Sequence, residues 1–299
     1  MNTDTKKKTN INFVRLMTPG ASISVALILL MTVMIFIKGF DFGTDFIGGM
    51  EITVTLEGQT DVASLGSQLA DEQISCEIQK VVDHNGRFHL RKRLIDADNP
   101  AAEEETVRQA LAKYYGQANV KVESSRIVSP TVSGENKKSA VKVVLAAMLG
   151  IILYLTVRFQ FHYAAGALIA VLHDVCIMLF FILLFQIEFT VLTITAILTI
   201  VGYSVNDTIV TFDRIRENLR HKKDADPKIT INDATNQVLS RTLITTFTTL
   251  AVVVALYLFS AGALKDFAFA MIVGLFSGTY SSIFIASGYL IAVKKIAIN

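Results

Sequence analysis

The sequence predicts an α-helical polytopic membrane protein with six transmembrane helices and one α+β extracytoplasmic domain between the first and second helices. Two observations support this fold class. The 299 residues are 52% hydrophobic and only 18% charged, with a mean hydropathy of +0.48, which is too apolar for an ordinary soluble protein. The apolar residues also form six runs long enough to cross a bilayer, and a long polar segment separates the first run from the second.

The six predicted spans follow the apolar runs along the chain. They are Gly20–Ile37, Ala140–Val157, Ala164–Phe185, Phe189–Phe212, Leu243–Phe259 and Phe267–Val293. The first span is at the short end of the range for a membrane helix. No small-residue cleavage site follows its apolar core, so we interpret it as an uncleaved anchor rather than a signal peptide.

The lysines and arginines predict which side of the membrane each connection faces. The N-terminal tail, the second-to-third and fourth-to-fifth connections and the C-terminus carry basic residues, whereas the opposite short loops carry only Lys265. By the positive-inside rule both termini are cytoplasmic. The expected division is residues 1–19 as a cytoplasmic tail, 20–37 as the first helix, 38–139 as the extracytoplasmic domain, and 140–299 as helices 2–6 with a cytoplasmic loop at 213–241.

The polar segment has the pattern of a small folded domain. Strands are predicted at Met50–Leu56, Ser75–Asp83, Arg87–Leu94 and Val120–Val128, and helices at Asp61–Glu72 and Pro100–Tyr115. The Asn-Gly pair in His84-Asn85-Gly86 predicts a tight hairpin turn between the second and third strands. The order β-α-β-β-α-β is typical of a ferredoxin-like sandwich.

Several function classes have no support in the sequence. There is no Walker-type GxxxxGK[ST], no CxxC and no HExxH, and the net charge of +2 gives no basic field for nucleic acid. Cys76 and Cys176 fall in a polar stretch and an apolar helix, so we expect two free thiols. We therefore expect neither an enzyme nor a bound cofactor or metal.

Asn206 and Asp207 lie within the fourth apolar run, and the carboxyl group of Asp207 is the most informative one in the chain. An ionisable side chain near the bilayer centre costs about 2.5–3.5 kcal/mol and is usually kept for transport, proton relay or helix pairing. One interpretation is a structural carboxylate bonded to a neighbouring helix or reaching the interface. The other is a carboxylate that gains and loses a proton during function.

Arg241 is the candidate cation for Asp207, because it begins the fifth span on the cytoplasmic side at about the same depth. By itself it is an ordinary flanking residue under the positive-inside rule. Paired with Asp207 it would form a gate, since protonation of the carboxylate would release the pair and change helix packing.

Other polar positions leave alternatives open. His173 and Asp174, near the middle of the third span, could hydrogen-bond within the bundle, extend a proton path or face an attached subunit. The hydroxyls of the fifth span could bond back to their own helix or line a hydrated path; they belong to Thr242, Thr245, Thr246, Thr248 and Thr249. Gly274 and Gly278 form a GxxxG motif, which predicts close helix packing.

Four groups of residues resemble the SecD–SecF family of bacterial protein-export membrane proteins, and in particular its SecF branch. They are Gly43-Thr44-Asp45-Phe46-Ile47-Gly48-Gly49; His173-Asp174; Tyr203-Ser204-Val205-Asn206-Asp207 with Phe212-Asp213-Arg214-Ile215-Arg216-Glu217-Asn218; and Arg241-Thr242-Leu243 with Gly278-Thr279-Tyr280-Ser281-Ser282. Together they cover nearly the whole chain in order. Thr44 departs from the family pattern, in which an apolar residue is expected before the Asp.

The resemblance implies a function that composition does not. The family belongs to the resistance-nodulation-division superfamily and is taken to use the proton-motive force to assist protein translocation with SecD and the SecYEG channel, and with YajC. Its ligand is the unfolded polypeptide in transit, its coupling ion is the proton, and its place is the bacterial inner membrane. The family assigns proton conduction to the residues that match Asp207 and Arg241.

Two other functions remain as alternatives. One is a proton-driven exporter of lipids or small molecules from the same superfamily, which a ligand-sized apolar pocket in the external domain would favour. The other is a non-transporting scaffold of the translocon, which predicts that Asp207 is permanently paired.

Overall fold

The computed structural model describes residues 11–57, 61–80, 86–92, 100–221, 225–260 and 262–293. In chain order the elements are α1 (Phe13–Ile37), α2 (Thr44–Ile47), β1 (Gly49–Leu56), α3 (Val62–Asp71), β2 (Glu77–Lys80), β3 (Arg87–Lys92), α4 (Pro100–Tyr115), β4 (Val120–Val128), α5 (Pro130–Arg158), α6 (Phe161–Phe185), α7 (Val191–His221), α8 (Pro227–Phe259), α9 (Ala263–Ser281) and α10 (Ser287–Ala292). One π-helical turn, Ser282–Ala286, makes α9 and α10 a single rod.

The predicted six spans are confirmed. The helices α1, α5, α6, α7, α8 and the rod α9–α10 are each long and apolar enough to cross a membrane. Helices α1 and α5 begin well before their apolar runs, at polar caps: the Asn12 side chain accepts the Arg15 amide before α1, and Ser129 caps α5 directly before Pro130. Residues 130–139, assigned above to the external domain, are therefore the first turns of α5.

The segment 213–241 was expected to be a cytoplasmic loop, but most of its described residues are helical. Helix α7 continues to His221 and α8 begins at Pro227, with the Asp226 side chain capping its first turn. The two helices stay in contact beyond their apolar parts, since the side chain of Gln237 accepts hydrogen bonds from Arg214 at 2.5 Å and from Asn218 at 3.1 Å. The basic residues of this connection thus lie along two extended helices.

Three helices form the centre of the bundle. The middle of α7 packs on α9 so closely that a Cβ added to Gly274 would lie 2.4 Å from Cγ1 of Ile200, and one added to Gly278 would lie 3.3 Å from Cβ of Ser204. The close packing predicted from the GxxxG motif is therefore confirmed. Helix α6 packs on the same pair, α1 and α8 lie outside them, and α5 is the least buried.

The four strands form one antiparallel sheet in the order β2-β3-β1-β4. Alternation gives the sheet two different faces. One face is apolar and packs against α3 and α4 through a core that includes Met50, Ile52, Val54, Leu56, Phe88 and Leu90. The predicted turn at His84-Asn85, and the ends of the two strands predicted around it, lie outside the described residues.

The other face of the sheet is polar and lies on the end of the helical bundle where α1 ends and α7 begins. Arg91 of β3 contacts Glu188 in the connection between α6 and α7. His89, two residues earlier on the same face, lies against Gly262 at the start of α9, where an added Cβ would be 2.7 Å from the His89 Nε2. Gly262 has a φ of +57°, so this close approach requires glycine for both space and backbone conformation.

Candidate functional site

Asp207 lies in the middle of α7 and is only 3% exposed. Among the described residues its Oδ2 has no hydrogen-bond partner, and the hydroxyls of Tyr203 and Thr208, on adjacent turns, are likewise buried without one. Asn206, the neighbouring residue, points outward and is exposed. Buried polar atoms without protein partners are usually satisfied by water, so this part of α7 is suited to hydration.

Arg241 lies within α8 and is the cation whose charge acts on the Asp207 carboxylate. Its side chain is exposed, and the ion pairs formed within the described part of the chain do not include one between Arg241 and Asp207. The direct pairing expected from the sequence is therefore absent from this conformation. The two charges are close enough to interact but not in contact.

His173 and Asp174 are the centre of a buried hydrogen-bond network. Asp174 is 0% exposed, and its Oδ1 accepts from Ser277 at 2.6 Å, while its Oδ2 accepts from Ser204 at 2.6 Å and from Ser281 at 2.7 Å. The His173 Nδ1 lies 3.0 Å from the Asp174 Oδ1. A carboxylate that accepts four donors has its lone pairs fully used.

The network reaches a fourth helix through the other side of the imidazole. The His173 Nε2 lies 2.9 Å from the Ser24 Oγ of α1, and the His173 ring stacks on Tyr280 of α9 with centroids 5.7 Å apart. Hydrogen bonding within the bundle, one of the three roles considered for this pair, is thus what the geometry shows. An orientation toward an attached subunit is wrong for Asp174, because that side chain is completely buried.

Of the serines that complete this network, Ser204 and Ser281 were included in the family motifs but given no role from the sequence, and Ser277 was not identified. Ser277 and Ser281 are four residues apart and so lie on one face of α9, and Ser204 faces them from α7. The four-residue spacing of Ser277 and Ser281 could have indicated from the sequence that both hydroxyls lie on one side of a helix. Gly278 between them lets α9 approach α7, since its added Cβ would lie 3.3 Å from the Ser204 Cβ.

The threonines of α8 mostly bond to their own helix. The hydroxyls of Thr245, Thr248 and Thr249 donate to backbone carbonyls three or four residues earlier. Thr246 is different, since its Oγ1 lies 2.8 Å from that of Thr279 on α9. The back-bonding interpretation is confirmed for the first three.

The glycine-rich motif after α1 fastens the chain to the start of α7. Asp45 is 4% exposed; its Oδ2 accepts the backbone amide of Val191 at 3.0 Å, and its Oδ1 accepts from Arg126 of β4 at 2.9 Å. A carboxylate at a helix N-terminus satisfies a free amide and complements the helix dipole. Gly43, Phe46, Gly48 and Gly49 build the tight turn around it.

Space at this motif is limited by the connection between α6 and α7. A Cβ on Gly43 would lie 2.7 Å from Thr190 and 2.8 Å from the Glu188 carboxylate, and one on Gly49 would lie 2.7 Å from the Lys92 carbonyl oxygen. The Gly43 amide also donates to the carbonyl of Phe189 at 3.0 Å. The motif is therefore packed directly against the residues that precede α7.

The remaining motif residues lie at the opposite end of α7. Asp213 pairs with Arg158 at 2.6 Å, and Arg214 pairs with Glu217 at 2.7 Å, both partly exposed. Arg216 is half-buried on the same helix. The first pair joins α5 to α7 and the second lies within α7, and neither is part of the Asp207 site.

A second charged cluster, which the sequence reasoning did not identify, lies between the sheet and the bundle. Arg91 contacts Glu188 and reaches Glu77 at 3.4 Å and Glu51 at 3.6 Å. The carboxylate oxygens of Asp41, Glu77 and Glu188 lie within 4.8 Å of one another beside a cavity of about 440 Å³. They could supply three oxygen ligands, but Arg91 already provides a cation to two of them.

Glu188 is the most buried of these acids, at 6% exposed. Burial raises the pKa of Glu188, and the nearby Glu77, Asp41 and Glu51 raise it further, against the lowering effect of Arg91. The net effect raises the pKa of Glu188 to about 8, so Arg91 favours the ionised form without restoring the ordinary pKa of the acid. Glu188 was not singled out from the sequence, in which it lies in the short connection between two apolar runs. An isolated acidic residue at that position could have indicated a functional or structural role.

Comparison with known proteins agrees with this geometry. Residues 107–296 match the family "Protein export membrane protein SecD/SecF, C-terminal", and residues 33–60 match the "SecD/SecF GG Motif". The protein translocase subunit SecF of Petrotoga mobilis is 35% identical over 292 residues, which are 96% of this chain and 97% of that protein.

Longer relatives contain a region similar to this chain as one part. The protein translocase subunit SecDF of Thermus thermophilus is 34% identical over 93% of this chain and 38% of that protein. The crystal structure of SecDF from that organism, a translocon-associated membrane protein, matches with a TM-score of 0.81 at 33% identity over 96% of this chain and 39% of that chain. The chain belongs to the SecD/SecF family of protein-export membrane proteins.

Proposed function

We propose that this chain is a subunit of a proton-motive-force-driven complex that assists protein translocation across the cytoplasmic membrane. Relatives named as translocase subunits match it over nearly their whole length. Relatives in which the same unit is part of one longer SecDF chain support SecD as its direct partner. The SecYEG channel, YajC and the unfolded polypeptide in transit complete the proposed assembly.

The observation that carries the proton-coupled mechanism is the state of Asp207. It is a buried carboxylate on a membrane helix, one of its oxygens has no protein partner, and a cation acts on it without contacting it. A permanently paired structural acid would have both oxygens satisfied, as those of Asp174 are. The scaffold alternative, which requires permanent pairing of Asp207, is correspondingly disfavoured.

In the proposed cycle a proton from the extracytoplasmic side binds Asp207, weakens its interaction with Arg241 and leaves to the cytoplasm. Asp207 switches between a charged and a neutral state, and the packing of α7 against α8 changes with it. The driving force is adequate, since one charge crossing the membrane gains about 2.3 kcal/mol per 100 mV. A bias of that size shifts a two-state helix arrangement substantially.

The sheet domain is proposed to be a ferredoxin-like, extracytoplasmic unit that holds the emerging polypeptide. The strand order β2-β3-β1-β4 with two helices on one face supports that fold. The basic residues at the other end of the bundle support an extracytoplasmic position for this domain and a cytoplasmic position for both termini. The membrane is proposed to be the bacterial inner membrane.

The test is an Asp207→Asn variant, examined with Asp213→Asn as a matched control on the same helix. We expect Asp207→Asn to abolish the part of preprotein export that depends on the proton gradient, while co-purification with the SecD-type partner is unchanged. Asp213→Asn removes a partly exposed acid that pairs with Arg158 and should leave export intact. Normal gradient-dependent export by Asp207→Asn would refute the proposal, and loss of assembly would favour the scaffold.

Arg241→Lys tests the cation separately. Lysine keeps the charge but loses the planar guanidinium, which can bind a carboxylate through two hydrogen bonds. We expect reduced gradient-dependent export with normal assembly. Unchanged export would show that Arg241 acts only as a flanking residue.

A further inference from the structure

Two arginine–carboxylate bridges join the sheet domain to the residues that begin α7. In one, Arg91 of β3 contacts Glu188, three residues before the helix. In the other, Arg126 of β4 binds Asp45, whose second oxygen accepts the amide of Val191, the first residue of α7. The outer end of one membrane helix is thus held by two strands of the same sheet.

The first bridge is almost completely buried. The side chains of Arg91 and Glu188 are 7% and 6% exposed. Separating Arg91 from Glu188 removes the nearest partner of each buried group, which is more costly than separating an exposed pair. Glu51 and Glu77 flank Arg91 on the neighbouring strands, in direct cross-strand register, and fix its position on the sheet.

The backbone around the bridges leaves little room for slippage. The Phe189 amide donates to the Asp41 carbonyl at 2.7 Å, and the Gly43 amide donates to the Phe189 carbonyl at 3.0 Å. Phe40, Phe42, Phe46 and Phe189 pack their rings together at the same place, with centroids 5.5 to 6.3 Å apart. A displacement of the start of α7 therefore moves the exit of α1 and the edge of the domain with it.

Helix α7 connects this junction to the proposed proton site. It is one continuous helix from Val191 to His221, and Asp207 lies sixteen residues from its start, or about 24 Å along the axis. A helix of this kind transmits translation and rotation along its length much better than a loop does. Its Ile200 and Ser204 pack closely against Gly274 and Gly278 of α9, so a movement of α7 also acts on that helix.

We propose that α7 is the mechanical link of the complex, and that the Arg91–Glu188 and Arg126–Asp45 bridges transmit its movement at Asp207 to the sheet domain. This inference rests on the proposed function and assigns four residues to it as positioning residues. None of the four touches the proton site. They hold the sheet domain to the start of α7, so that the domain moves with the helix.

The experiment measures the position of the domain by electron–electron spin-label distances. Labels at Ser67→Cys on α3 and Leu264→Cys at the outer end of α9 are placed on exposed positions in a Cys76→Ser, Cys176→Ser background. The full chain is assembled with its SecD-type partner. Asp207→Asn mimics the protonated carboxylate, and we expect it to shift the distance distribution relative to Asp207.

The variant that tests the bridges combines Arg91→Gln and Glu188→Gln with Arg126→Gln, which removes the charged partners of the first bridge and the guanidinium of the second. Its matched control is Arg87→Gln with Glu123→Gln, an arginine–glutamate pair at 2.8 Å that joins β3 and β4 of the same sheet to each other. We expect the Asp207→Asn shift to disappear in the first background and persist in the second. Unfolding of either variant is checked by its thermal midpoint.

If the bridge variant gives the same shift as the control, the inference is overturned. It is also overturned if Asp207→Asn produces no shift with intact bridges. Export assays separate these results from failure of the proposed function. If Asp207→Asn still abolishes gradient-dependent export, the proton site stands and only its connection to the domain through the bridges is refuted.

Discussion

Replacing Asp174 with alanine is expected to destabilise the helical bundle by about 2 to 5 kcal/mol. The carboxylate accepts interhelical hydrogen bonds from three serines on two other helices, at 2.6 to 2.7 Å. Interhelical side-chain hydrogen bonds in membrane proteins contribute on average about 0.6 kcal/mol each and at most about 1.7 kcal/mol. Three such bonds give the stated range.

The measurement is unfolding of the purified chain in detergent by increasing mole fraction of SDS, followed by the reaction of its own thiols with a fluorogenic dye. Cys76 and Cys176 are free and partly buried, so both become more reactive on unfolding. Burial raises the pKa of Cys76 to about 11, which keeps it mostly protonated and unreactive in the folded protein. The SDS midpoint and slope give the free energy of unfolding.

Two further variants show whether the network is the cause. Asp174→Asn preserves the shape and one carbonyl oxygen, so its loss of stability should lie between zero and that of Asp174→Ala. Asp213→Ala removes a partly exposed acid, whose ion pair is expected to contribute about 0–1 kcal/mol. If Asp174→Ala and Asp213→Ala unfold at the same SDS concentration, the reasoning is wrong.

Two other predictions concern packing and pH. Gly274→Ala places a Cβ 2.4 Å from Ile200 and should destabilise the bundle by about 1–3 kcal/mol in the same SDS assay. The double variant Gly274→Ala, Ile200→Ala should recover part of this stability. Gly150→Ala, whose Cβ meets nothing within 4 Å, should have little effect, and equal losses in the two glycine variants would contradict the packing argument. Burial lowers the pKa of His89, so the unfolded chain binds a proton more readily, and the associated stability is present above pH 6.5 and lost as the pH falls through that value. Thermal midpoints should therefore fall more steeply between pH 7 and 5 for the wild type than for His89→Gln, and parallel curves would refute the assignment.

The spans were predictable because a bilayer requires long apolar runs, but their ends were not. Helix α1 begins seven residues before the predicted Gly20, and α7 extends nine residues past Phe212, because caps and side-chain contacts continue a helix in polar sequence. A hydropathy profile detects only the part of a helix that lies in the hydrocarbon core of the membrane. The positions of the strands in the domain were predicted nearly correctly, because alternation of apolar and polar residues directly indicates a strand with one buried face.

The candidate site was predicted in part. Asp207 and Asp174 stood out because a carboxyl group in an apolar run is rare. What the sequence could not show is that Asp174 is satisfied by serines from two other helices whereas Asp207 is not, since that depends on helix rotation. Glu188 was overlooked because its partner Arg91 is nearly a hundred residues away, and such pairing is set only by the tertiary fold.

The buried network also bears on the order in which the protein is made. Asp174 enters the membrane with the third span, but Ser277 and Ser281 belong to the last one. The backbone of Ile11 is likewise held by Asn236 of the fifth span, at 2.8 and 2.9 Å. During synthesis the polar groups of the first and third helices therefore lack these hydrogen-bond partners until more than two hundred residues have been made. The bundle can close only when its C-terminal helix arrives, so a chain that terminates before Ser277 lacks the groups that complete its centre.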